Sequence, residues 1–124
     1  MEDRDPLTSK VIGAAIEVHR LLGPGLLERL YHRALRFELA LNGVTFESEK
    51  PVPISYKGHE LGDDLRLDLI VENQLIVEIK AVDRLIPVHE SQLITYMKLT
   101  GIKKGLLLNF NVRLLKECVK RMVL

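Results

Sequence analysis

The sequence predicts an α/β domain, a mixed central β-sheet flanked by α-helices with an N-terminal helical hairpin, and three features carry that expectation. Apolar residues recur at helical spacing through the N-terminal third, and they switch to alternation from Val44 onward. Further on, Leu106-Leu107-Leu108 is too apolar for a sheet face open to water, so that strand needs cover on both sides.

Asp5 followed by Pro6 reads as an N-cap with proline at the first helical position. Leu7, Val11, Ala15, Val18 and Leu22 then repeat until Gly23-Pro24-Gly25 ends the first helix. A second helix runs from after Gly25 to Asn42-Gly43. Leu27, Leu30, Tyr31, Ala34, Leu35 and Leu41 form its apolar face, with Arg29, Arg33 and Arg36 opposite. Val44, Phe46, Val52, Ile54 and Tyr56 mark strands, with Lys57-Gly58 as a turn and Gly62-Asp63-Asp64 as a break. Leu65, Leu67, Leu69 and Val71 then alternate with Arg66, Asp68 and Ile70. Leu75, Val77 and Ile79 likewise alternate with Ile76, Glu78 and Lys80, which makes a β-hairpin. A third helix starts near Pro87, passes Leu93, Tyr96 and Leu99, and is capped by Gly101. A short strand from Gly105 to Asn109 follows. The last segment, Val112 to Met122, has helical spacing in Leu115, Cys118, Val119 and Met122.

A chain of 124 residues, nearly half of them apolar, suits one domain over 1–124 with a genuine core. The 18 basic and 17 acidic residues leave a net charge of +1, so no global field draws the protein to nucleic acid or membrane, and any polyanion site must be local. Cys118 is the only cysteine, which excludes an internal disulfide and a cysteine zinc cluster and fits a reducing compartment. Met1 to Asp5 are acidic and polar, and no apolar run approaches the ~20 residues of a membrane span. The expected location is the cytoplasm, with no membrane partner.

The hairpin can be tested by counting. With Glu72 to Gln74 as the loop, Val71 faces Leu75, Asp68 faces Glu78 and Arg66 faces Lys80. Alternation puts Asp68, Glu78 and Lys80 on one face, beside Ile70 and Ile76. Two facing carboxylates in a semi-apolar setting are unfavourable unless one is protonated or a cation lies between them. A hard divalent ion, Mg2+ or Mn2+, answers that need. The plainer reading is a solvated sheet face with Lys80 and Arg66 neutralising the acids. Steps of about 100° place Glu28 between Leu35 and Leu39, hence pointing inward; as third residue after Gly25 it also suits helix capping and the helix dipole. Gln92 and Tyr96 lie four apart on one helix face, where the glutamine could bond a catalytic group or phosphate, or simply face water. No histidine pair has zinc spacing, and hydrogen-bonded or solvated roles are expected for His19, His32, His59 and His89. No phosphate-cradling glycine motif is present.

Gly25-Leu26-Leu27-Glu28-Arg29-Leu30-Tyr31 resembles the signature of the GxxExxY proteins, small prokaryotic domains grouped with the PD-(D/E)xK nuclease superfamily. The resemblance extends from Leu7 onward. It includes the run from Ile12 to His19, Val77-Glu78-Ile79-Lys80-Ala81-Val82, His89-Glu90-Ser91-Gln92-Leu93 and Leu108-Asn109-Phe110-Asn111. It implies a restriction-endonuclease-like core, a mixed four-stranded sheet between helices. By position, Asp68 matches the first motif carboxylate, Glu78 and Lys80 the ExK, and Glu28 the helical glutamate. Gln92 and Tyr96 resemble a QxxxY motif of recombination nucleases, while Leu67 stands where the eponymous proline would be.

The activity implied is metal-assisted phosphodiester hydrolysis of nucleic acid. Asp68, Glu78 and the Ile79 carbonyl would hold Mg2+ or Mn2+, and Lys80 would help activate water and stabilise phosphate charge. Glu28 would hold a second ion or orient the water, and Gln92 would fix a ligand or phosphate oxygen. Arg29, Arg33, Arg36 and Tyr96 are candidate nucleic-acid contacts, set against an ordinary solvated helix face. The near-neutral charge favours a short, end-containing or single-stranded substrate, or delivery by a protein partner. The rivals are a non-catalytic interaction module serving a protein partner and a metal-dependent hydrolase of another substrate. DNA against RNA, and monomer against homodimer, stay open.

Overall fold

The computed structural model describes residues 5–124, so the expectation for Met1 to Arg4 falls outside the described residues. Helix α1 spans Pro6–Leu22, and the Asp5 carboxylate accepts hydrogen bonds from both the amide and the hydroxyl of Thr8. It ends where the Gly23 amide donates to His19 O at 2.8 Å. Helix α2 spans Glu28–Leu41 and completes the N-terminal helical hairpin. Leu27 and Leu41, expected on its apolar face, are exposed instead, since Leu27 precedes the first turn and Leu41 closes the last.

One five-stranded sheet follows, in the order β1-β2-β3-β4-β5. Strands β1 (Phe46–Tyr56) and β2 (His59–Val71) are antiparallel around Lys57-Gly58. Both turn residues have positive φ, 49° and 81°, as a two-residue hairpin turn matched to strand twist requires. Strand β3 (Leu75–Lys80) runs antiparallel to β2, with Val71 facing Leu75 as the counting predicts. Helix α3 (Pro87–Thr100) crosses over to β4 (Lys104–Asn109), which lies parallel to β3. A Cβ on Gly105 would lie 2.8 Å from Met97 Sδ, which shows how closely α3 approaches β4. The chain then makes a 3-10 turn, Leu115–Cys118, and an antiparallel edge strand, β5 (Val119–Val123).

Two expectations are corrected here. Gly62-Asp63-Asp64 does not break the chain; it lies inside β2, where the pairing shifts near Ile54 and Gly62 takes φ 127°. The helix expected over Val112 to Met122 is replaced by the 3-10 turn and β5. The backbone groups along the edge of β4 need partners, and that ladder overrides the local helical spacing. The sheet therefore has five strands instead of four.

The sheet is covered on both faces. Val11, Ala15, Leu35, Leu39, Val77, Leu106 and Leu108 pack with the helical hairpin, while Ile70, Ile76, Leu93, Met97 and Leu107 pack under α3. On the odd-numbered face of β2, Leu69 and Val71 belong to the first cluster but Leu67 to the second, so that face passes from one core to the other beside Asp68, while Ile70 on the opposite face already packs in the second. The crossing places an aspartate where two cores meet.

Candidate active site

The backbone ladder between β2 and β3 runs from Val71↔Leu75 to Leu69↔Val77 and stops. At the next position the side chains take over. Glu78 Oε1 accepts from the Asp68 amide at 3.3 Å, and Asp68 Oδ2 accepts from the Ile79 amide at 2.8 Å. The two carboxylates thus satisfy amides freed as the strands separate. Among the described residues, Asp68 Oδ1 and Glu78 Oε2 accept no hydrogen bond.

Glu78 is 4% exposed. Burial, followed by the neighbouring Asp68 charge, pushes its carboxyl up to about 8, against the opposing pull of the Asp68 amide and Lys80. Burial also raises the Asp68 carboxyl, opposed mainly by the Ile79 amide. Glu28, the first residue of α2, is exposed and not buried as its inward helical direction predicts; its carboxyl is still raised, by partial desolvation and then by Asp68, with Lys80 pulling it down. Desolvation is therefore the leading cause at all three carboxyls, and proximity adds to it at each.

Lys80 Nζ donates to Gln92 Oε1 at 3.2 Å, tying the lysine of β3 to α3. The Tyr96 hydroxyl group is raised by burial and then by the charges of Glu78 and Asp68, which sets it against the carboxylates. Tyr96 is buried in the core under α3, so it forms a wall beneath the site and not an open contact surface. Arg29 and Arg33 are exposed on α2, whereas Arg36 is half-buried with its Nε enclosed and without a hydrogen-bond partner. Arg66 pairs with Pro51 across β1; it does not face Lys80, because the β2–β3 ladder has already opened. As first residue of its helix, Glu28 also sits too early for the reciprocal capping bond, and no side chain caps that end.

The surrounding motifs hold this arrangement in place. The Tyr31 hydroxyl donates to Gly23 O and accepts from the Leu26 amide at 3.1 Å, and its ring stacks on Phe110 at 4.8 Å. Tyr31 lies one turn beyond Glu28, so it pins the connection that delivers the glutamate. Asn109, fully buried, accepts from the amides of Val82 and Asn111 and donates to Val82 O. Asn111 Oδ1 in turn accepts from the Gly25 amide at 3.1 Å. Phe110 N donates to Lys80 O at 2.9 Å, which fixes the lysine backbone. His32 Nε2 meets Asp68 O at 3.0 Å and His19 Nε2 meets Val112 O at 2.7 Å, both buried and hydrogen-bonded.

Sequence reasoning missed Glu49. The pairs Ser48↔Leu69 and Lys50↔Leu67 bracket it against Asp68, whose carboxyl its charge raises, and its φ of 52° is unusual for a non-glycine residue. Counting outward from the Lys57-Gly58 turn would set Glu49 against Arg66, because Tyr56 pairs with His59 and Ser55 with Glu60. The shifts on either side of Ile54 move it to Asp68.

A mixed sheet between helices, with an acid pair and a lysine where a hairpin opens, defines a nuclease-like α/β class. A family model described as the PD-(D/E)XK nuclease superfamily matches residues 5–122, and the chain belongs to that superfamily. No curated protein and no solved structure matches the chain. Members generally use divalent metals, and the residues present fit one. Two hard carboxylates lie together, each with an oxygen that accepts no protein hydrogen bond, and the Glu78 charge is unfavourable without a counter-cation. Among the described residues, no three or more His, Cys, Asp or Glu side chains assemble to hold an ion, so water and substrate oxygens would complete the coordination.

Proposed function

We propose that the chain is a divalent-metal-dependent phosphodiester hydrolase acting on nucleic acid, working in the cytoplasm as a single domain. One observation carries the reading: Asp68 and Glu78 are crossed at the point where the ladder opens, and Lys80 is held close to them by Gln92. In this reading Asp68, Glu78 and the Ile79 carbonyl hold Mg2+ or Mn2+. The bound ion supplies Lewis-acid chemistry, acidifying a water and offsetting charge on the phosphate. Lys80 places a cation where phosphate charge develops. Gln92 spends its amide oxygen on Lys80, so it positions the lysine and leaves its amide nitrogen for a phosphate oxygen. Glu28, with its carboxyl raised, orients the water and accepts its proton. Arg29 and Arg33 follow Glu28 along α2 and track the backbone. The Gly25, Glu28 and Tyr31 geometry supports grouping the chain with the GxxExxY proteins.

The test is a calorimetric Mn2+ titration of the wild type beside Glu78→Gln, followed by Mn2+-dependent cleavage of labelled DNA and RNA by the wild type and Lys80→Ala. Binding lost in Glu78→Gln, with cleavage lost in Lys80→Ala, is expected. Absence of both binding and cleavage in the wild type overturns the reading in favour of a non-catalytic interaction module.

A further inference from the structure

Apart from the carboxylates, a cavity of about 400 Å3 lies between the last turn of α1 and the segment following β4. Its size falls in the range of small-ligand sites. His19 and Leu115, both buried, give it a firm base, and His19 is anchored to the Val112 carbonyl at 2.7 Å. Ile16 and Leu114 present apolar side chains to solvent at its mouth. Arg20, Arg113 and Lys116 also line it. Arg20 is held by Glu17 at 2.9 Å, whereas Arg113 and Lys116 make no ion pair among the described residues. On a chain with net charge +1, two uncompensated cations beside one apolar slot form a local anion site.

An apolar slot with a guanidinium and an ammonium group beside it suits a nucleobase joined to a phosphate. The flat faces of base and arginine can stack, and the cations meet the phosphate. The cavity also adjoins the proposed reaction centre along the chain. Lys80 pairs with Asn109 at the C-terminal end of the parallel β3–β4 pair, and four residues after Asn109 comes Arg113, which lines the cavity and whose backbone lies at most about 14 Å from that of Asn109. On the other side Gly23 lines the cavity, Gly25 is tied to Asn111, and Glu28 follows with its carboxyl beside Asp68. Ligands of open α/β sheets bind outside the C-terminal ends of parallel strands, and both features lie there.

We propose that this cavity is a second nucleic-acid subsite, taking an unpaired base and its phosphate from a single-stranded segment that flanks the bond to be cut. The proposal rests on the nucleic-acid reading above and names the substrate as single-stranded near that bond. It is tested by fluorescence anisotropy with labelled single-stranded DNA and RNA oligonucleotides in EDTA, so that binding is read without cleavage. The variant Arg113→Ala/Lys116→Ala changes two exposed side chains, and circular dichroism checks its fold. It should bind at least about tenfold more weakly, with the slope of log affinity on log salt reduced by about 1.4. An abasic residue in the oligonucleotide should weaken binding by the wild type but not by Leu114→Asp. Lys80→Ala should lose cleavage yet still bind the strand through this subsite, whereas a wild type that shows rim-dependent binding but no cleavage with Mn2+ would fail the hydrolase reading alone. Affinity and salt slope unchanged in the rim variant, or equal displacement by a polyglutamate peptide, would overturn the subsite.

Discussion

Glu78 is 4% exposed next to Asp68, and its carboxyl is raised to about 8. Between its unfolded value near 4.5 and about 8, the folded protein binds a proton that the unfolded chain has lost. This contribution to stability is therefore full below pH 4.5, declines through that window and levels off above it, at no more than about 1.4 kcal/mol per pH unit. Thermal melts in EDTA should show a lower Tm at pH 8.5 than at pH 5.5. Glu78→Gln should flatten that difference and raise the Tm at pH 8.5. A wild type whose Tm does not fall across the window would show that the two carboxyls are not held against one another. Lys80 makes a different prediction, because it is half-buried and its side chain is held by Gln92 alone among the described residues. Lys80→Ala should keep the fold and lose hydrolysis, while Gln92→Ala should slow hydrolysis by letting the lysine wander without removing it. Turnover retained by Lys80→Ala would discard its role.

Element by element, the site depends on how strand ends are tied. Asn109 closes β4 against the segment after β3 through Val82 and Asn111, at 2.9 to 3.2 Å. Asn109→Ala leaves Val82 amide and carbonyl groups without those bonds, and urea unfolding should register a loss of about 2–4 kcal/mol; a loss below half of that would mean water replaces the asparagine. Such ties explain which parts of the molecule could be read from sequence. The β2–β3 register was legible because a three-residue loop and strict alternation leave one solution, and that solution set Asp68 against Glu78. The starts of α1 and α3 were legible from Pro6 and Pro87, and the end of α3 from Gly101. Strand β5 was not, because Leu115, Cys118, Val119 and Met122 also satisfy a helix, and its reason for extending lies in the distant edge of β4. Glu49 was hidden by the pairing shifts around Ile54, which local patterning does not announce. Spacing put Gln92 only on one helix face with Tyr96, and the resemblance to a QxxxY motif implied its place at the site, but its bond to Lys80 depends on how α3 lies over the sheet.

At the scale of the whole molecule, folding brings Glu28 from α2, Asp68 from β2, Glu78 and Lys80 from β3 and Gln92 from α3 to one end of the sheet, so occupancy of the site should be felt as global stability. On the proposed reading a divalent ion binds the folded chain and not the unfolded one, because the unfolded chain does not hold Asp68 and Glu78 together. An ion at a hundredfold excess over its Kd would then add about 2.7 kcal/mol, which for a domain of this size raises the Tm by roughly 10 °C. Protons compete for the same oxygens, and the raised Glu78 carboxyl makes that competition strong below about 8. Saturating Mn2+ should therefore raise the Tm more at pH 8.5 than at pH 5.5, opposite in direction to the metal-free trend, and bring the two pH values closer together. Glu78→Gln and Asp68→Asn should lose most of the increment, since each removes one charge from a two-carboxylate site. Lys80→Ala should keep it or enlarge it, because a competing cation near the site is gone. Differential scanning calorimetry across the four proteins separates holding the ion from using it. An equal Mn2+ increment in Asp68→Asn and the wild type would move the ion elsewhere on the molecule, whatever the cleavage assays showed.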